Sequence, residues 1–327
     1  MAGISSLNRF SPPLPGNVKT NLGASLCALA AAFTLGSMIP KELTFSDNLL
    51  IAAKRQMAFA GAAGVVFNLA NLLLVAAISV AGMAVAFAIS FGLGLAIGVA
   101  LNFSFSSQDN PILRLGGVVL VMVAVVSIAF AHSLYTDAQA AERGAQAGAR
   151  GKPAVRPPAA ALGIVLSAIS GLVMSGFYPL IRIAENGDEG VAPYGVAVFV
   201  SVGVVLSTLF FIPFFMTFPV QGKPLELREY FTGAKNLHWW GLLAGVIWMG
   251  GAVCRFTATN PLGTTPLAPP LSYVLDQGVP LLAMLWGLLA WREFKGASHL
   301  VKLLLAGAIV LFAGGVGMIT LASLRPR

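Results

Sequence analysis

The sequence predicts an all-α protein: a polytopic bundle of transmembrane helices, about nine spans, whose two halves are related by an internal repeat. Three observations carry this. The chain is 57% hydrophobic and only 10% charged, with a mean hydropathy of +0.84, far from the composition of a water-soluble domain. Apolar runs of about 20 residues, the length a helix needs to cross the hydrocarbon, recur along it. Finally, one apolar segment resembles another half a chain away. Ala244–Gly263 (AGVIWMGGAVCRFTATNPLG) aligns without gaps on Ala63–Gly82 (AGVVFNLANLLLVAAISVAG). Both open Ala-Gly-Val, carry an aromatic (Trp248, Phe67) and close on glycine. Leu305-Ala306-Gly307 likewise answers Leu115-Gly116-Gly117. Duplicated helix sets are a common plan of secondary transporters, with the solute held where the repeats meet.

Nine spans are read in order: 21–39, 57–79, 83–103, 112–132, 159–183, 193–219, 239–259, 265–290 and 299–323. Short alternating segments, the mark of a membrane β-barrel, are absent. Residues 1–20, with Ser11-Pro12-Pro13-Leu14-Pro15, read as a disordered tail. Arg9 and Lys19 before a short apolar stretch also fit a cleaved signal peptide; the long, Pro-rich positive region favours a retained helix. Residues 21–132 form the first repeat, with four spans, and 159–323 the second, with five. Between them 133–158, rich in Ala, Gly and Pro with Arg143, Arg150, Lys152 and Arg156, reads as a flexible basic linker. Residues 324–327 are a C-terminal tail. If 57–79 answers 239–259, nothing answers 159–183, and a first helix is missing.

The net charge of +8 invites a nucleic-acid reading, but the cations sit in loops, where they set topology. Alternation places the N-terminus, 133–158, 220–238 and 291–298 on one side, with most of the Lys and Arg. The 184–192 loop opposite is acidic, with Glu185, Asp188 and Glu189. The charge bias makes the first side cytoplasmic. Cys27 and Cys254 fall inside apolar spans and read as small buried hydrophobes. No spacing of Cys, His or acids suggests a metal, and no cofactor is expected.

Asp276 is the sharpest candidate. It lies midway along its span in LSYVLDQGVP, between Pro269-Pro270 and Pro280. A carboxylate at mid-bilayer costs roughly 2.5–3.5 kcal/mol, so it lines a cavity or has a partner. The prolines are expected to break the helix there and expose carbonyls to a solute or ion. Asp276 reads as a solute or proton site, or as an acid held by a cation between helices. Arg255 is the natural partner; it can also snorkel to the surface. Asn68 and Asn71, three apart, share a helix face; their amides suit an uncharged polar solute or bond between helices. Trp248, Tyr273 and Gln277 complete the set, aromatic face and amide edge together gripping a sugar or planar heterocycle. Trp239 and Trp240 read as interface anchors, and Phe177-Tyr178-Pro179 marks a kinked helix. Gly92, Gly94 and Gly98 read as packing surface.

The run 60–103 (AGAAGVVFNLANLLLVAAISVAGMAVAFAISFGLGLAIGVALNF) resembles the third and fourth helices of the ureide permease branch of the drug/metabolite transporter superfamily. GLLAGVIWMGGAVCRF and, after a proline-containing helix, WGLLAWREFKG (286–296) are similar to the eighth and ninth helices there and in bacterial sugar porters such as the glucose-ribose and rhamnose symporters. The resemblance implies ten helices in two inverted repeats and secondary transport of a sugar, nucleobase or ureide. It also implies a phosphate-loop-like motif in the central loop, but Gly144 to Gly151-Lys152-Pro153 has the wrong glycine spacing and no Ser/Thr after the lysine, so no nucleotide binding is expected. The sequence thus reads as a permease of a bacterial inner membrane, with Asp276 coupling uptake to protons. The alternative is a non-transporting or truncated paralogue, or an accessory subunit. A membrane enzyme is disfavoured, since Glu185, Asp188 and Glu189 form the only acidic group and sit in a solvated loop. The partners implied are a small-molecule solute and the lipid bilayer, with no nucleic acid and with homodimerisation left open.

Overall fold

The computed structural model describes residues 14–38, 44–102, 110–149, 160–218, 220, 235–258 and 269–324. Every regular element among them is helical: α1 Leu14–Phe33, α2 Leu35–Met38, α3 Phe45–Ile51, α4 Lys54–Ala81, α5 Met83–Asn102, α6 Pro111–Ala149, α7 Ala160–Met174, α8 Phe177–Glu185, α9 Pro193–Thr217, α10 Lys235–Ala258, α11 Pro269–Leu289 and α12 His299–Leu324. Among the described residues, 8 helical segments are long and apolar enough to cross a membrane, and Gly278–Leu289 is a shorter apolar one. This is an all-α, polytopic helical bundle, and the chain is an integral membrane protein.

Four elements depart from the sequence reading. Helix α1 begins at Leu14, so 14–20 are helical, and residues 1–13 lie outside the described residues. Helix α6 runs on through 133–149, the first part of the expected linker, because Asp137-Ala-Gln-Ala-Ala-Glu142 is a strong helix former even without apolar periodicity; residues 150–159 are not described. The span 159–183 is two helices rather than one kinked helix: it divides at Ser175-Gly176 into α7 and α8, just ahead of the Phe177-Tyr178-Pro179 kink that was expected. Helix α11 is continuous from Pro269 to Leu289 with Pro280 inside it. Pro269 and Pro270 occupy its first turn, where a missing N–H costs nothing.

The chain divides into two compact units, each drawing on both halves of the sequence. Unit 1 comprises Met1–Leu69 and Gly176–Ala268; unit 2 comprises Ala70–Ser175 and Pro269–Arg327.

In unit 1, α1 packs on α9 and α10 with backbones in touch. A Cβ on Gly23 would meet the Leu242 carbonyl, and one on Gly245 the Thr20 carbonyl. Likewise Gly64 lies against Val200 and Gly203 against Gly61, seating α4 on α9. Since lipid is as apolar as leucine, such small-residue seams take over the role of a hydrophobic core in holding membrane helices together. Ala24, Ala28, Ala32, Ala63, Val200 and Met249 fill the seam, while Leu209 and Phe210 point outward. At one end, Thr44 and Asp47 form a capping box that starts α3. Asn48 donates to the Gly190 carbonyl (3.1 Å) and accepts from the Ala192 N–H (2.8 Å).

Unit 2 pairs α6 with α12 and α5 with α7. A Cβ on Gly117 would sit 2.6 Å from the Gly315 carbonyl oxygen, and one on Gly315 2.7 Å from that of Gly117. Gly171 abuts the Ser90 backbone, and the Ser90 and Ser170 hydroxyls bond at 2.8 Å. Gly92 faces Val125 and Phe312, whereas nothing approaches the Cβ position of Gly98. Segments that helix alternation puts on one side meet within each unit: the Ala53 N–H donates to Glu189 in unit 1, and Tyr135 Oη–H donates to the Lys295 carbonyl (2.9 Å) in unit 2.

Candidate functional site

Asn68 is buried in α4, at 2% exposure, where a bare amide would be costly. Its Nδ2 donates to Ser207 Oγ (2.8 Å), Thr208 Oγ1 (3.2 Å) and the Val204 carbonyl (3.2 Å). Asn21 of α1 donates to Asn68 Oδ1 (3.3 Å) and Thr208 Oγ1 (2.7 Å). Thr208 and Ser207 pass their own protons back to the Val204 carbonyl. The network therefore ties α1, α4 and α9 together. Its Asn68 amide hydrogens are spent within the protein, so Asn68 does the interhelical work weighed against solute contact from sequence. Asn21, Ser207 and Thr208 escaped sequence reading; polar side chains in otherwise apolar spans were the available signal.

One residue before Asn68, the Phe67 ring stacks on Trp248 of α10 (centroids 4.5 Å, planes 23° apart) and meets Phe177 of α8 at 5.5 Å. Trp248 and Phe67 are half-buried, so the stack is bounded but not sealed. Seven residues along α10, two turns on the same face, Arg255 places its guanidinium 5.4 Å from the Tyr178 ring centroid, a cation–π distance. On α8, Tyr178, Arg182 and Glu185 recur at helical spacing on one stripe. Unit 1 thus carries a strip of aromatic faces ending in a cationic edge, suited to a flat solute with carbonyl acceptors.

Asn71 belongs to unit 2 and is half-buried, and its side chain makes no hydrogen bond among the described residues. Tyr273, Asp276 and Gln277 lie on α11, with their side chains outside the described residues. The backbone at Asp276 departs from the broken helix expected of it. The helix continues, but Pro280 stands four residues later with no N–H, leaving the Asp276 carbonyl without its usual helical donor. Among the described residues no group of His, Cys, Asp and Glu is arranged to hold a metal ion.

Comparison with known proteins adds one likeness. Ureide permease 2 of Arabidopsis thaliana is 22% identical over 178 residues, which cover 50% of this chain and 41% of the permease. The chain is similar to ureide permeases. Ureide permease 1 of the same plant is 22% identical over 178 residues (50% and 42% of the two chains), and ureide permease 5 is 24% identical over 179 (48% and 39%). The matched region thus spans about two fifths of the length of these curated relatives. No protein-family model and no solved structure matches the chain. The similarity is weak, covers half of the chain and falls on a bundle of membrane-crossing helices.

Proposed function

We propose that the protein is a secondary active transporter for a small, flat polar solute of the sugar, nucleobase or ureide kind, in a bacterial inner membrane. One observation carries the reading: the permease similarity falls on a chain whose unit 1 holds the Trp248–Phe67 stack and Arg255. An aromatic face takes the plane of a heterocycle, and a guanidinium takes its carbonyl oxygens. Such chemistry favours nucleobases and ureides over sugars. Trp248 and Arg255 are the solute-contacting side chains of this proposal, with Asn71, Tyr273 and Gln277 as further candidates. Asp276 is the proton-coupling group, supported by a carboxyl placed in an apolar helix where Pro280 also loosens the backbone hydrogen bonding. The two inverted repeats, 21–132 and 159–323, remain part of the proposal.

Uptake into proteoliposomes under an imposed pH gradient, screening nucleobases, ureides and sugars, tests it. Gradient-driven accumulation of a nucleobase or ureide is expected, lost in Trp248→Ala and uncoupled from pH in Asp276→Asn. Absence of uptake of every solute by folded protein would overturn the transporter reading; unchanged pH dependence in Asp276→Asn would remove only the coupling role.

A further inference from the structure

The turn between α11 and α12 (290–298) lies wholly in unit 2, and its residues divide by direction. Three face inward. The Glu293 carboxyl accepts the Met83 N–H at 2.6 Å and the Ala84 N–H at 2.9 Å, orphan donors at the start of α5. Phe294 and Ala297 are buried, Phe294 against Tyr135 of α6 with ring centroids 4.9 Å apart, and the Tyr135 hydroxyl holds the Lys295 carbonyl. Backbone bonds close the rest. The Trp291 and Glu293 N–H groups donate to the Trp286 and Gly287 carbonyls (3.1 and 3.2 Å), and the Lys295 N–H donates to the Arg292 carbonyl (3.0 Å). The turn is fixed, and what it presents outward is fixed with it.

Outward it presents cations beside apolar surface. Arg292 and Lys295 are exposed, as is Lys302 in the first turn of α12. Among the described residues none of the three takes part in an ion pair, although Asp137 of α6 is exposed two residues beyond Tyr135. Between 286 and 310 the sequence holds a single acid, Glu293, and that is the one turned inward. Trp291, Leu300 and Leu303 are exposed alongside the cations. Arg292 is also held at a backbone cost. Its φ of +51° is, among the described residues, the only positive value outside glycine, and glycine or asparagine adopts it more readily. The cap of α11 accounts for a glycine there, not for an arginine.

We propose that this turn binds the headgroup of an anionic phospholipid, with Arg292, Lys295 and Lys302 on the phosphate and Trp291, Leu300 and Leu303 along the upper acyl chain. The proposal stands whether or not the chain transports a solute. A guanidinium fork matches a phosphate. Lys302 can lay its stem along the apolar surface and raise its ammonium to the same level. Indoles favour that boundary between headgroup and hydrocarbon, and basic residues beside a membrane helix draw anionic lipid. A free phosphate would use the cations but gain nothing from the apolar residues beside them, which commits the site to a lipid.

Native mass spectrometry of the full chain, released from micelles holding phosphatidylglycerol and phosphatidylcholine in equal amounts, tests the site. The wild type is expected to retain the anionic lipid over the zwitterionic one by about tenfold or more, since each cation near a membrane surface is worth roughly fivefold. The triple variant Arg292→Ala, Lys295→Ala, Lys302→Ala should lose that preference. Lys54→Ala with Arg55→Ala, which removes exposed cations of unit 1, should keep it. Glycerol 3-phosphate in large excess should not displace the lipid. Arg292→Gly separates charge from backbone: it should lower the preference roughly fivefold yet raise the unfolding midpoint in lipid-free detergent. Equal retention of the two lipids by the wild type would overturn the proposal. So would a preference that survives in the triple variant, one that falls equally without Lys54 and Arg55, or displacement by the free phosphate ester. If the triple variant does not fold, the wild-type ratio and the two readings on Arg292→Gly decide.

Discussion

At the scale of single residues, the two asparagines that looked equivalent in sequence part company. The two Nδ2 hydrogens of buried Asn68 are shared among three acceptors, so Asn68→Ala should cost about 1–3 kcal/mol, read as a lowered unfolding midpoint in detergent. The Asn71 side chain makes no hydrogen bond among the described residues, so Asn71→Ala should leave that midpoint in place and, on the transporter proposal, weaken uptake. Sequence spacing put both on one face but could not say which amide was already spent, because Ser207 and Thr208 stand some 140 residues away in the chain. Trp248 was legible as an aromatic inside an apolar run. Its Phe67 partner was legible too, through the repeat that aligns the two, though nothing in that alignment says they touch. Trp248→Ala should cost about 0.5–1.5 kcal/mol beyond the loss of buried area, visible in the same melt.

At the scale of elements, helix existence was readable and helix continuity was not. Among the described residues every apolar run of about 20 residues is helical, since bilayer thickness and backbone satisfaction leave no other choice. Two of these runs, 21–39 and 159–183, are nevertheless each broken into two helices. Where the bilayer constraint lapses, α6 continues through 133–149 on local propensity, with Leu134 and Tyr135 packed against unit 2 at the start of the extension. Proline misled in the opposite direction. Pro280 removes one donor without ending α11, as neighbouring helices support a helix that has lost a single bond. Glycines separate by what faces them. Gly203 lies against the Gly61 backbone, so Gly203→Ala must push α4 and α9 apart, costing about 1–3 kcal/mol. Gly98 has nothing within 4 Å of its Cβ position, and Gly98→Ala should stabilise by up to about 1 kcal/mol. Thermal unfolding of the pair in one detergent compares them. Before the structure, the FGLGLAIG pattern offered no way to rank its three glycines.

At the scale of the whole molecule, composition announced a membrane bundle, but the grouping into units was hidden. Each unit is assembled from an early and a late stretch of chain, and no run of residues marks where α4 passes from one to the other. Glu293 shows how a loop residue acts on overall stability. Its carboxyl is raised by burial, so the folded state holds the proton more tightly than the unfolded chain does. The stabilisation from that proton is complete below the ordinary carboxyl value and is lost as pH rises through the raised one. The unfolding midpoint of the wild type, referred to that of Glu293→Gln, should accordingly be highest near pH 4.5 and fall as pH increases. Helix α6 has a consequence of another kind. Its 39 residues make a rod of roughly 58 Å, nearly twice the hydrocarbon it crosses. The far end of that rod is a mast above the lipid. A small rigid protein grafted onto it in helical register would move as one body with unit 2, giving electron microscopy an alignment marker on a chain otherwise hidden in its nanodisc.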